Sequence, residues 1–185
     1  MYSHLHLEIQ GKFLTNCTYL QDEEFTIGKF KCYASPWCPN MYQWLCDKFV
    51  NLLKQPEKLL NLKNFDNQYF FRDDEGMKQA WNNVPQDVDI LVTHTPPLGI
   101  LDLNEFGSYR GCPALLERLS FFHKLKIHLF GHIHSVNGCK FLTMNEVHSI
   151  CNQFNRTPLG EPHSEEILFV NAANSNQYQP FYFDL

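Results

Sequence analysis

Lys126–Gly138, KIHLFGHIHSVNG, is the stretch on which the fold turns. Ile127–Phe130 is a short apolar run of buried-strand character, closed by Gly131. His132-Ile133-His134 follows. If the backbone stays extended there, residues i and i+2 point the same way. Neutral imidazole suits Zn, Mn or Fe-type ions. Two such rings could each hold one ion of a pair about 3.5–4 Å apart, the spacing used by two-metal hydrolases.

Upstream, Val88–Thr93 repeats the pattern. It is a near-continuous β-branched run, and His94-Thr95-Pro96-Pro97 ends it. In α/β sheets ligands bind beyond the carboxyl ends of strands. His94, His132 and His134 are therefore expected to converge as metal ligands. Taken alone, His94 reads equally well as a capped turn residue. Between the two strands, Pro113 opens a helix whose Leu115, Leu116, Leu119 and Phe122 face inward through about Lys124. Strand, helix, strand is a βαβ unit with parallel strands and a right-handed crossover.

On the amino-terminal side, residues 17–34 form a hairpin. Thr18–Leu20 reads as one short strand and Gln21–Glu24 as a polar break. Phe25–Ile27 and Phe30–Tyr33 alternate around Gly28-Lys29. Ser35–Asn40 breaks regular structure and carries Trp37, which either anchors a loop or rims a pocket. Residues 41–83 are helical in tendency, interrupted at Pro56, with a polar and aromatic loop near 64–74. Met77, Ala80 and Trp81 mark a short helix that ends before Pro85. After Gly138, Lys140–Thr143 and Val147–Cys151 read as alternating segments, and Glu166–Val170 and Pro180–Asp184 as strands. Strands thus gather at the end, giving an α/β (α+β mixed) fold with antiparallel additions to a mixed sheet.

One domain over residues 1–185 is expected from the length, and 44% hydrophobic content supplies its core. The net charge of −5 argues against a nucleic-acid polymer or membrane surface as partner. A small phosphate substrate remains compatible, because bound metal ions supply local positive charge. The seven cysteines (17, 32, 38, 46, 112, 139 and 151) contain no CxxC pair, and reduced thiols in a cytoplasmic protein are the plain reading. No stretch approaches the ~18 apolar residues of a membrane span, and no signal peptide is evident. Asn16-Cys17-Thr18 and Asn155-Arg156-Thr157 match the glycosylation pattern but carry little weight in that setting. Arg110 reads as a phosphate contact or an exposed surface residue. Asp102 is the one carboxylate close to His94 in sequence, and His128 is expected to pack or hydrogen-bond locally. His4 and His6 read as a solvated tail, and His123, His148 and His163 carry no motif.

Val92-Thr93-His94-Thr95-Pro96-Pro97 and Gly131-His132-Ile133-His134 resemble the last two motifs of the calcineurin-like metallophosphoesterases. The match is nearer to the metallophosphoesterase-domain-containing, fetal-brain type subfamily. Stretches resembling LTNCTYLQDEEFTIGKFKCYASPW, DILVTHTPPLGILD, RGC and FVNAAN occur there in the same order. The resemblance runs from about residue 14 to 185 and is weaker over 40–80. It implies face-to-face mixed β-sheets flanked by helices, and a dinuclear centre of Mn, Fe or Zn acting on a phosphodiester or cyclic nucleotide. His94 and His132 would then hold one ion and His134 the other. The family also needs a D-x-H, a G-D and a G-N-H, and this sequence contains none of them. The expectation is a partial metallophosphoesterase β-sandwich lacking its N-terminal strands and left with open apolar edges. Functionally, that is either a metal-dependent phosphoesterase whose site is incomplete in this chain, or a catalytically inactive truncated relative acting as an interaction protein. For the chain alone, negligible activity is expected.

Overall fold

In the computed structural model, residues 15–40 and 70–174 are described. Six strands make one mixed sheet in the order β1-β2-β5-β6-β8-β7. They are β1 (Glu23–Ile27), β2 (Phe30–Ser35), β5 (Ile90–Thr93), β6 (Ile127–Phe130), β7 (Gly138–Thr143) and β8 (Glu166–Asn171). The inner strands β2, β5, β6 and β8 run parallel, and β1 and β7 close the two edges antiparallel. A smaller parallel pair joins β3 (Cys38–Pro39) to β4 (Phe71–Arg72). Three helices are present among the described residues: α1 (Asp74–Asn82), α2 (Pro113–Leu119) and α3 (Met144–Gln153).

Strand alternation sorts the side chains onto two faces. Tyr33, Leu91, Phe130, Ile167 and Phe169 join one buried cluster with Met77 and Trp81 of α1, Leu115, Leu116 and Leu119 of α2, and Met144, Val147 and Cys151 of α3. Burying each large side chain of this kind contributes roughly 1.5–3 kcal/mol. The opposite face carries Cys32, Ile90 and Ile127, with Phe25, Phe30, Val92, Leu129 and Leu168 half-buried around them. Apolar surface thus lies on this sheet face, and the edge strands β1 and β7 add the exposed Ile27 and Phe141.

The βαβ unit forms as expected: β5 and β6 pair in parallel register, Ile90 with Ile127 and Val92 with Leu129. Pro113 stands at the start of α2, where a missing N–H costs nothing. The helix at Met77–Trp81 is α1, capped by the Asp73 carboxylate, which accepts from the Gly76 N–H at 2.8 Å.

Three expectations change. Thr18–Leu20 is not a strand; β1 instead begins at Glu23, inside the polar break. As an edge strand, it keeps Glu23 and Glu24 in water while their backbones pair with Ala34 and Tyr33. Cys38–Pro39, read as loop, pairs with Phe71–Arg72. Val147–Cys151 lies in α3, not a strand. Thr143 caps that helix through a reciprocal box: its hydroxyl accepts from the Glu146 N–H, and the Glu146 carboxylate accepts from the Thr143 N–H. The expected helical stretch from 41 to the low 60s, the first part of the expected loop at 64–74 and the strand at Pro180–Asp184 fall outside the described residues. Among the described residues no helix is long and apolar enough to cross a membrane.

Candidate metal centre

Three neighbouring parallel strands release their chain at the same end of the sheet. After β5 the first residue is His94; after β6 the second is His132; after β2 the third is Cys38. Backbone hydrogen bonds tie these exits together. The His94 N–H donates to Ser35 O at 3.2 Å, and the Gly131 N–H donates to His94 O at 3.1 Å.

The backbone at His132 is not extended. Its φ is 69°, and the Ile133 N–H donates to Gly131 O at 2.8 Å, which closes a tight three-residue turn around His132. A non-glycine residue held in this region costs on the order of 1–3 kcal/mol and is kept only where its surroundings over-determine it. Here they do. Ile133 is buried. The buried Asn171 amide donates to Ile133 O at 2.9 Å and to Leu101 O at 3.0 Å, while its Oδ1 accepts from the Ala173 N–H. Asn137 donates to Asn171 O and Ala173 O. Nothing in the sequence announces this asparagine support: Asn171 stands just past the expected strand Glu166–Val170.

The turn throws the His132 ring against His94. His132 Nδ1 lies 3.0 Å from His94 Nε2, with ring centroids 4.8 Å apart at 66°. On its other side, His132 Nε2 is 3.5 Å from the Cys38 thiol. Cys38, His94 and His132 each offer a ligand atom within 4.8 Å of the others. Burial, with the neighbouring His94 and His134 adding to it, lowers the His132 pKa to about 4. Partial desolvation by the packed ring of His132, and then His134, lower that of His94 too, although its side chain remains exposed. Both rings are thus neutral near pH 7, the form that binds metal. Burial pushes the Cys38 thiol up to about 12, so without a cation it stays protonated.

His134 opens a short 3-10 turn (His134–Val136) and is exposed. It stands near enough to raise the cost of protonating both other histidines, but it is not in the three-residue cluster. Asp102 is buried and faces its own loop, accepting from the Arg110 and Gly111 N–H groups at 3.1 and 2.7 Å. Arg110 is half-buried beside it. His128 is fully buried and bonded to Thr93 Oγ1 at 2.9 Å, as expected of a packed strand residue. Trp37 anchors its loop: its indole N–H donates to Asp22 at 2.6 Å, and the Arg72 guanidinium lies 3.6 Å from its ring centre.

As a donor set, two imidazoles and a thiol suit a borderline ion such as Zn and serve Mg poorly. Among the described residues no carboxylate joins the cluster. The cluster therefore fits one ion and offers no bridge to a second. Cys38 went unrecognised in the sequence; its one signal was the proline-bracketed Ser35–Asn40 segment at a possible pocket rim.

A family model for calcineurin-like phosphoesterases matches residues 16–136. Human metallophosphoesterase domain-containing protein 1 is 38% identical over 126 residues, covering 68% of this chain and 32% of that protein. A UPF0046 protein of Caenorhabditis elegans is 32% identical over an alignment covering 94% of this chain and 49% of its own length. The chain thus spans between a third and a half of the length of these relatives. The match of the family model over most of the chain, on a mixed sheet that brings two of the motif histidines into contact, shows that this protein belongs to the calcineurin-like phosphoesterase family.

Proposed function

We propose that this chain carries the histidine half of a metal-dependent phosphoesterase site that acts on a small phosphodiester, with a cyclic nucleotide as one such substrate. The observation that carries this reading is the approach of His132 and His94 to 3.0 Å at the carboxyl ends of adjacent parallel strands. Family membership supports it, since the family implies divalent-metal use.

His94 and His132 present neutral nitrogens to one ion. His134, whose side chain is exposed, would hold the second ion in the completed site. A divalent ion bound there supplies Lewis acidity toward the phosphoester. The chain's own part is to fix the imidazoles through the Gly131–Ile133 turn and the Asn171 amide. The bridging carboxylate and the general acid of the family site have no counterpart in this sequence, so the reading places them outside it, in elements of the D-x-H, G-D and G-N-H kind. With a net charge of −5, the ion provides the positive charge that a phosphate needs. The setting is cytoplasmic, with reduced cysteines and no nucleic-acid polymer or membrane as partner.

The test pairs metal binding with turnover. Calorimetric titration of the purified chain with Zn or Mn is expected to show binding that His132→Ala abolishes. Hydrolysis of bis(4-nitrophenyl) phosphate by the chain alone is expected to stay at background. Activity is expected once a segment carrying the three missing motifs, in cis or from a partner, completes the site. Turnover by the chain alone that disappears in H132A would overturn the incompleteness, and no metal binding at all would overturn the whole reading. That no carboxylate joins the cluster among the described residues also favours one rival, a catalytically inactive interaction protein. That rival gains if supplying such a segment restores no turnover.

A further inference from the structure

We propose that Cys38 is a metal ligand, and that Cys38, His94 and His132 together form a three-ligand site for one zinc-class ion with a fourth position open. This rests on His94 and His132 being metal ligands, as proposed above; it adds the third ligand and the class of ion.

The first argument is placement. The three residues follow β2, β5 and β6, three adjacent parallel strands, and the exits of those strands are hydrogen-bonded to one another through Ser35, His94 and Gly131. Their ligand atoms lie within 4.8 Å of one another. The Cys38 Sγ to His132 Nε2 separation of 3.5 Å is that of two ligands sharing a tetrahedral ion, given Zn–S and Zn–N bonds of about 2.3 and 2.0 Å; His94 faces the other nitrogen of His132, Nδ1, so it joins the same ion once an imidazole ring turns.

The second argument is what the other buried thiols do. Cys32 and Cys151 turn toward backbone carbonyls of Phe30 and Leu116, and Cys112 accepts from the Trp81 indole N–H at 3.3 Å. These are inert packing environments. Among the buried cysteines described, Cys38 is the one whose sulfur is recorded against an imidazole nitrogen.

The third argument is rigidity. The Cys38 N–H donates to Phe70 O at 2.8 Å, and Cys38 is paired with Phe71 in the small sheet. Trp37 beside it is held by Asp22 and stacked by Arg72. The backbone of Cys38 is thereby fixed, and the rearrangement that coordination asks for is the turn of an imidazole ring.

Coordination exchanges the thiol hydrogen for the ion: the S–H bond breaks, an S–metal bond forms, and the proton leaves to solvent with no change of oxidation state. Two nitrogens and one sulfur leave a fourth position for water or a phosphate oxygen, the pattern of catalytic rather than structural zinc. Thiolate also selects against Mg, which distinguishes this site from an all-oxygen and nitrogen centre.

The experiment titrates the full, reduced chain with Co(II), a spectroscopic stand-in for Zn, and follows its absorption. The expected result is one equivalent bound with a near-ultraviolet sulfur-to-cobalt charge-transfer band. In C38S and C38A the band is expected to vanish. Losing an outer partner of a metal ligand costs roughly 10- to 100-fold in affinity, and losing the ligand itself is expected to weaken Zn by roughly 100-fold. Circular dichroism of both variants verifies folding, and the alanine variant serves if serine disturbs the buried position. Cobalt bound with ligand-field bands but no charge-transfer band would overturn the role of Cys38 and leave the histidine reading standing. A band that persists in C38S and C38A would do the same, assigning the sulfur to another cysteine. No cobalt and no zinc bound by the wild type would overturn both readings.

Discussion

His132 carries two local costs at once: a backbone at φ 69° and a ring wedged between His94 and the Cys38 thiol. The two are separable by substitution. Glycine adopts positive φ without a Cβ penalty, so His132→Gly is expected to be more stable than His132→Ala by about 1 kcal/mol, although neither binds metal. Equal urea midpoints for the two variants would show that the turn is unstrained. His128, four residues earlier, makes a different prediction. Burial among Phe130, Phe169 and Thr93 lowers its pKa to about 3. Thr93 Oγ1 donates to Thr95 O, so it accepts from His128, which fixes the hydrogen on Nε2. Because the folded pKa lies below the unfolded value near 6.5, the unfolded chain takes up a proton that the fold refuses. Stability from this group is full above about pH 6.5 and falls by about 1.4 kcal/mol per pH unit as pH drops toward 3. His128→Gln keeps a donor without the titration, so its midpoint should fall less steeply between about pH 6 and pH 4. Parallel curves for the two proteins would rule this out. At this scale the meeting of His94 and His132 was legible, because a histidine right after an apolar strand is a short-range signal. Cys38 was not. Its ligand character comes from residues 56 and 94 positions away, and a single cysteine between prolines announces neither.

At the scale of elements, the strands that deliver the histidines were read to within two residues at their starts and to the residue at their carboxyl ends, Thr93 and Phe130. Continuous β-branched and aliphatic runs closed by Pro or Gly leave little choice. The failure was α3. Val147-His148-Ser149-Ile150-Cys151 looks alternating, yet the buried positions Met144, Val147 and Cys151 follow helical spacing, and Thr143-x-x-Glu146 is a helix-start signature. The cap decided between the two periods. Thr143→Ala is therefore expected to cost about 1 kcal/mol in chemical denaturation, by freeing the Glu146 N–H and one partner of its carboxylate. An unchanged midpoint would mean that packing of α3 against β7 and α2 holds the helix without its cap. The edge strand β1 was misjudged for a related reason. Two glutamates argue against a strand by composition, but at an edge they face water, and Glu24 lies 3.0 Å from the Lys31 ammonium.

Across the whole molecule, local structure and the metal site depend on the same three strand ends. A parallel sheet brings β2, β5 and β6 side by side only after long connections close, so the ligands meet only in the folded chain. An ion held by His94 and His132 therefore binds the folded state and not the unfolded one, apart from weak binding to loose cysteines and histidines. Linkage then requires metal to stabilise the entire sheet and not only the loops that touch it. At a free Zn concentration about 100 times the dissociation constant, the gain is roughly 2.7 kcal/mol. Urea unfolding of the wild-type chain with and without Zn should show that gain as a shift in midpoint with an unchanged slope, because the surface exposed on unfolding is the same. In H94A and H132A the shift should disappear while the metal-free midpoints stay close to one another. A Zn-induced shift of equal size in those variants would place the ion elsewhere, and no shift in the wild type would mean that these strand ends hold no ion. The same linkage bears on the half-covered sheet face around Phe25, Val92, Leu129 and Leu168. It belongs to the strands whose ends carry the ligands, so a partner bound there adds to the metal's stabilisation of the fold and raises the apparent metal affinity only to the extent that the chain would otherwise be unfolded.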